Sequence, residues 1–328
     1  MRADGTLKGR TKVFPFDTGY KGVGGYRTFG PEDISIIVCT YNRVSWLERC
    51  LASLWSQSPA PGEVIVVDGP SNDGTRELLG HLVEQGQVRL VEQQKLEGIS
   101  AARNLGLEAA KGKVVGFIDD DAQAEPGWIA ALLSGFSGTN VAGVGGPVLS
   151  TDGRLVMGRN AVSNMGDWFD ESRGESVEGK HQVMVGCNMS FLTEVLRKVG
   201  GFDAKFRYHQ DETDACLRVL SVGYEIVYEE KAAVRHEWCE GSYRRDRLLW
   251  YFKLRYLWGR NDAYLVHKNF GRDVSFSRYI GHKLMRALGK RLSPPTKVAE
   301  PKPESMPRPI SLLGATFEMS GSVFGWNR

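Results

Sequence analysis

Strand-like and helix-like segments alternate four times between residues 34 and 119, and the strand-like ones are unbroken apolar runs. "ISIIVCTY" (34–41), "GEVIVVDG" (62–69), "VRLVEQ" (88–93) and "KVVGFID" (113–119) show little polar–apolar alternation, so each has two faces to bury. Between them lie three helical patterns. "NRVSWLERCLASLWSQ" (42–57) sets Trp46, Leu47, Cys50, Leu51, Leu54 and Trp55 at helical spacing. "SNDGTRELLGHLVEQ" (71–85) opens with a polar cap cluster, and "GISAARNLGLEAAKG" (98–112) reads as closed by Gly112. Doubly buried strands joined by helices predict an α/β fold with a mainly parallel, Rossmann-like central sheet flanked by helices. Such sheets bind ligands beyond the carboxyl ends of their strands. Asp68 ends the second strand, and Asp119, Asp120 and Asp121 end the fourth, so all four carboxylates point to one crevice.

The remaining chain divides by composition. Residues 1–32 are polar and glycine-rich and read as an N-terminal extension, and 33–242 hold the α/β domain. Within it, 141–149 reads as a strand and 151–182 as an irregular polar segment. Residues 183–202 read as strand, turn and helix, 211–224 as a helix, and 225–238 as two short strands. Residues 243–292 form a basic, aromatic helical region, and 293–328 a proline-rich linker and C-terminal segment.

The net charge is +3, but residues 235–292 carry 14 Lys/Arg against 5 Asp/Glu. That imbalance predicts an anionic partner: a membrane surface, a phosphate-bearing substrate or nucleic acid. No recognised nucleic-acid module accompanies the basic residues, so nucleic acid is not expected. In 276–292, Phe276, Ile280, Leu284, Leu288 and Leu292 recur every fourth residue among basic side chains. Two readings stand: a helix docked on the domain, or an interfacial helix making peripheral contact with anionic lipid. The five cysteines are odd in number and form no C-x-x-C, against a disulfide framework and a zinc site, and for a reducing compartment. No apolar run approaches the ~18 residues of a membrane span. The amino end lacks an apolar signal core. The expectation is a cytoplasmic protein, at the inner face of the cell membrane if 276–292 is interfacial.

Three adjacent carboxylates at the end of a buried strand repel one another and are partly desolvated. A solvated, helix-capping turn is one explanation. The other is a divalent-cation site, since oxygen ligands suit Mg2+ or Mn2+, which commonly complete their shells with substrate phosphates. Glycine-loop nucleotide sites are absent: "GVGGYRTFG" (22–30) does not fit G-x-G-x-x-G, and "GVGGP" (143–147) precedes no helix.

In order, "SIIVCTYNR" (35–43), "VIVVDGPSNDGT" (64–75), "GISAARNLGLEAAKG", "FIDDDA" (117–122), "GCNMSF" (186–191), "GGFDAKFRYHQDETDACLR" (200–218) and "VRHEW" (234–238) resemble a family 2 glycosyltransferase of the GT-A fold. The likeness spans about residues 33–261 and makes 33–242 the catalytic domain. It implies inverting transfer from a nucleoside-diphosphate sugar to a glycan or lipid-linked acceptor, with Mn2+ or Mg2+. Thr40 and Tyr41 would line the base pocket, and Asp68 would accept from the nucleobase. Arg103 would contact the diphosphate or an acid of the metal motif. Asp119 would hold ribose, Asp121 the metal, and Asp120 would support them; His236 would complete the metal's coordination. The family's usual Glu-Asp is Asp211-Glu212 here. Register from Asp214 puts Glu212 on the catalytic base, with Asp211 as the alternative; an N-cap cluster without chemistry is the plain reading of the same acids. Two other classes compete: a catalytically silent sugar-nucleotide-binding module, and a nucleotidyltransferase. The latter normally carries a glycine-rich basic loop near the first strand, and none is visible.

Overall fold

The structure, a computed structural model, describes residues 27–175, 179–237, 247–287 and 308–326. The expected alternation is present as β1 (Ile34–Thr40), α1 (Val44–Trp55), β2 (Glu63–Asp68), α2 (Thr75–Glu84), β3 (Arg89–Glu92), α3 (Ile99–Ala109) and β4 (Val114–Asp119). Next come β5 (Ala122–Ala124), α4 (Trp128–Gly135), β6 (Val141–Gly145), β7 (Val148–Leu149), β8 (Leu155–Met157), β9 (Asn160–Val162), β10 (Trp168–Asp170) and β11 (His181–Val183). The domain finishes with β12 (Asn188–Leu192), α5 (Thr193–Lys198), α6 (Asp211–Ser221), β13 (Glu225–Tyr228) and β14 (Val234–His236). The C-terminal extension is helical: α7 (Arg247–Phe270), α8 (Phe276–Ala287) and α9 (Arg308–Trp326).

The central seven-stranded sheet has the order β13-β6-β12-β4-β1-β2-β3. All its pairings are parallel except those of β12. Ile36, Ile37, Val38, Val66 and Val115 are buried, as expected for strands covered on both faces. Each such side chain contributes roughly 1.5–3 kcal/mol of burial. The parallel register sets Thr40 level with Asp68 and Cys39 level with Asp119, so the carboxyl ends of β1, β2 and β4 form one rim. β12 is tied down by buried Asn188. Its Nδ2 donates to the carbonyls of Pro147 (3.2 Å) and Ala232 (2.8 Å), and its Oδ1 accepts from Trp128 Nε1 at 2.9 Å.

Several sequence expectations are corrected. α1 buries Leu47, Cys50, Leu51 and Leu54, but Trp55 is 40% exposed. α3 ends at Ala109, and Gly112 serves a close approach instead: a Cβ there would lie 2.5 Å from the Asp33 carbonyl oxygen. The single strand expected over 141–149 breaks at Gly146-Pro147 into β6 and β7, because proline has no N–H to give a ladder. The segment 151–182 is not irregular. It carries β8 to β11, of which β9 to β11 form a three-stranded sheet and β8 joins β5, β14 and β7. Strands of three residues are too short for alternation to reveal. Residues 308–326, expected as part of a linker-led tail, form α9, while 288–307 and most of the N-terminal extension lie outside the described residues.

α7 and α9 pack backbone against backbone. A Cβ on Gly259, Gly321 or Gly325 would run into the carbonyls of Glu318, Tyr256 or Arg260 on the facing helix. α8 is held through charge to α7 and to the domain, by way of Asp262 and Asp167 respectively. Lys283 is buried on Asp262 (3.0 Å), and His282 (2.5 Å) and Arg286 both reach Asp167. The docked reading of 276–292 therefore holds for its described part; Lys290 and Arg291 lie outside it. Among the described residues, no helix is long and apolar enough to cross a membrane.

Candidate active site

β4 delivers Asp119 at its last residue, and the turn to β5 carries Asp120 and Asp121. β14 runs antiparallel to β5 with His236 opposite Ala122. That register brings a residue from over a hundred positions away beside the carboxylates. His236 Nε2 lies 3.2 Å from Asp121 Oδ1 and 3.9 Å from Asp119 Oδ2. Asp120 is held from the other side: Thr40 Oγ1 donates to Oδ2 at 2.8 Å, and Arg43 Nη1 to Oδ1 at 3.0 Å. The same Arg43 nitrogen donates to Asp121 Oδ2 at 2.7 Å.

These contacts divide the three carboxylates electrostatically. Burial pushes Asp120 up to about 7 against the pull of Arg43, and burial also raises Asp119. Asp121 stays below the usual carboxylate range although burial opposes this, because His236 hydrogen-bonds it and Arg43 lies alongside. His236 is raised in turn; burial works against its charge, and Asp121 outweighs it. Asp121 is thus the carboxylate most fully ionised.

Arg103 of α3 links this cluster to the acids of α6. Its side chain is 6% exposed; Nη1 donates to Asp211 Oδ2 at 2.7 Å, and Nη2 lies 3.4 Å from Asp119 Oδ1 and donates to the Gly186 carbonyl at 3.0 Å. Asp211 is spent on that ion pair. Glu212 beside it is pushed up to about 8, by burial first and then by repulsion from Asp211.

The rim over β1 and β2 carries a second group of contacts. Asp68 is fully buried; Ser71 Oγ donates to its Oδ1 at 2.5 Å, while Oδ2 has no hydrogen-bond partner and lies 3.5 Å from Arg76 Nε. Asn42 Oδ1 accepts from the Asn72 N–H (2.7 Å) and Ser71 Oγ from the Asn42 N–H (2.9 Å), so the loops after β1 and β2 are stitched together. Tyr41 is 41% exposed and lies beside Gly69.

The structure therefore gathers Asp119, Asp120, Asp121, His236, Arg103 and Asp211 into one contact network, with Thr40 joined through Asp120 and Glu212 next to Asp211. Asp68 and Tyr41 occupy the neighbouring rim. The Thr40 hydroxyl, expected at the base pocket, donates to Asp120. Two residues had no assigned role from sequence. Arg43 belongs to "TYNR", and its place at the start of α1 was the available signal. Cys187, within "GCNMSF", offers its thiol near Asp119 and His236; the three ligand atoms lie within 4.8 Å of one another. The carboxylate, imidazole and thiol donors of Asp119, His236 and Cys187 could hold a divalent cation, and Asp121 adjoins them through His236.

A parallel sheet with one reversed strand and an acidic motif at the carboxyl end of its fourth strand defines the GT-A glycosyltransferase fold. The chain belongs to glycosyl transferase family 2, whose family model matches residues 35–200. It is 30% identical over 225 residues to the glucosyl-dolichyl phosphate glucuronosyltransferase of Haloferax volcanii, covering 62% of this chain and 69% of the relative. It is also 30% identical to glycosyltransferase AglE of the same organism, over 52% of this chain but 55% of that relative. Among solved structures, mannosyltransferase PcManGT from Pyrobaculum calidifontis, in complex with GDP-Man and Mn2+, superposes with a TM-score of 0.57 at 16% identity, covering 93% of this chain and 92% of that one. That last likeness is one of fold.

Proposed function

We propose that the chain is an inverting, metal-dependent glycosyltransferase. It moves a sugar from a nucleoside-diphosphate sugar to an acceptor hydroxyl in glycolipid or polysaccharide assembly. One observation carries the reading: a single buried guanidinium, Arg103, joins the Asp119–Asp121 cluster to the Asp211–Glu212 pair. This link supports a reading in which a donor's diphosphate and an acceptor's hydroxyl would meet between the two acidic groups.

Asp68, whose Oδ2 is engaged among the described residues only by the Arg76 ion pair at 3.5 Å, would accept from a nucleobase N–H, and the exposed ring of Tyr41 beside Gly69 would offer the base a stacking face. Asp119 holds ribose. Asp121 and His236 would hold Mn2+ or Mg2+, with the Asp119 carboxylate 3.9 Å from His236 and Asp120 fixing the turn. Held there, such an ion would supply charge stabilisation for the departing diphosphate. Glu212 takes the proton from the acceptor hydroxyl as that oxygen attacks the anomeric carbon. The bond from that carbon to the diphosphate breaks in the same displacement, so the anomeric centre inverts and no carboxylate nucleophile is needed. The engagement of Asp211 by Arg103 favours Glu212 as base. A lipid-linked acceptor is favoured by likeness to the dolichyl-phosphate enzyme.

The test is a thermal-shift screen of UDP, GDP and their sugars with Mn2+, followed by product analysis. One nucleotide series should raise the unfolding temperature, since a ligand at a hundred times its Kd adds ~2.7 kcal/mol. The product should be nucleoside diphosphate. Release of pyrophosphate would identify a nucleotidyltransferase instead, and binding without turnover a silent module.

A further inference from the structure

We propose that Asn261 and Asp262, on α7, are positioning residues for Glu212, holding the turn before it in a backbone conformation that it would not keep alone. The catalytic consequence rests on the reading of Glu212 given above; the structural one rests on geometry. His209 and Gln210 have φ of +68° and +74°. Neither is glycine, and in the left-handed region a side chain crowds its own backbone carbonyl. Two such residues in succession persist where their surroundings impose the conformation. Gln210 is the N-cap of α6, its carbonyl accepting from the Asp214 N–H at 2.9 Å. The pair therefore sets the direction in which α6 begins, and with it the aim of Glu212 two residues later.

Asn261 grips the turn's backbone. Its Nδ2 donates to the carbonyls of Tyr208 (2.5 Å) and His209 (3.0 Å), and its Oδ1 accepts from Arg260 Nη2 at 2.9 Å, which fixes the amide's orientation. At 2% exposure, Asn261 makes these bonds away from competing water. Asp262 grips the side chains. Its Oδ1 accepts from Gln210 Nε2 at 2.8 Å and lies 3.7 Å from His209 Nε2, and its Oδ2 accepts from buried Lys283 of α8 at 3.0 Å. From β10, Trp168 Nε1 donates to Gln210 Oε1 at 3.4 Å. Asn261 and Asp262 lie on α7 and Lys283 on α8, both outside the α/β domain. The clamp is thus a contribution of the C-terminal helices to the base, and α8 acts through Lys283 by keeping Asp262 ionised and in place.

The full-length chain is compared with Asn261→Ala and with the double variant Asn261→Ala/His209→Gly, in which glycine removes much of the strain the clamp opposes. Hydrogen exchange read by mass spectrometry should show the 208–214 segment exchanging about tenfold faster or more in Asn261→Ala, with β1 and β4 unchanged. In nucleoside-diphosphate release from UDP-glucose and GDP-mannose with Mn2+, kcat should fall about tenfold to a hundredfold while the donor KM stays within about twofold. The double variant should recover protection and turnover. Unchanged exchange at 208–214 in Asn261→Ala, or a double variant no better than the single one, would overturn the proposal. If the unaltered chain releases nucleoside diphosphate from neither donor, the exchange comparison alone decides the clamp.

Discussion

Glu212→Gln is expected to lower the turnover of sugar transfer by about 10²–10⁴-fold, the contribution typical of a well-placed general base, in a protein that still folds. The substitution keeps shape and removes the charge. Glu212 is 92% buried beside Asp211, and those two facts push its carboxyl up to about 8. The base form is the deprotonated one, so kcat/KM should rise with pH on an acidic limb far above the ordinary carboxylate range. The same shift has a sign for stability. A carboxyl whose folded value is raised binds more protons folded than unfolded, so stability falls as pH climbs from about 4.5 through about 8. Glu212→Gln should therefore melt higher than the parent at pH 8.5, with the gain shrinking toward pH 5. Loss of activity together with a gain of stability separates a catalytic group from a structural one. Near-parental turnover in Glu212→Gln would move the role to Asp211, with Asp211→Asn as the next variant.

Arg103→Ala should cost about 3–5 kcal/mol of stability, the range for breaking a buried ion pair and stranding its partner. Asp211, 1% exposed at its side chain, would lose the guanidinium that compensates it, and the Gly186 carbonyl would lose a donor. Asp119 would lose its nearer cation as well. Transfer should fall with stability, because the two halves of the site would no longer be registered. Arg103→Lys should recover only part of either, since an ammonium cannot hold three acceptors in the fork geometry of Arg. Denaturant unfolding provides the measurement. A loss below about 1 kcal/mol would place Arg103 with solvent-screened surface pairs instead.

The central sheet is legible in the sequence because its strands are long, apolar and regularly spaced. β1, β2 and β4 need nothing beyond hydrophobic continuity, and the strand-end rule carries Asp68 and Asp119–Asp121 to the rim. The residues of the second half of the site are legible as motifs but not as neighbours. His236 reaches Asp121 through the β5–β14 register, and three-residue strands leave no pattern from which to read it. Arg43 and Cys187 stand inside quoted motifs, yet their approach to the acids depends on loop geometry. The C-terminal helices are the least legible part. α9 hides behind a proline-rich approach, and the acidic partners of Lys283 and Arg286 are set by tertiary docking, which spacing along α8 does not disclose.

The proposed division of labour gives the metal to Asp121 and His236, the nucleoside to Asp68 and Asp119, and the transfer to Glu212. Isothermal titration of UDP and GDP, each with and without Mn2+, into the parent chain, Asp121→Ala, His236→Ala and Glu212→Gln tests it most directly. The predicted result is Mn2+-dependent binding of one diphosphate, weakened about tenfold or more in Asp121→Ala and His236→Ala as expected for loss of a ligand or its orienting partner, and retained in Glu212→Gln. Equal affinity in all four proteins, or binding indifferent to Mn2+, would contradict it.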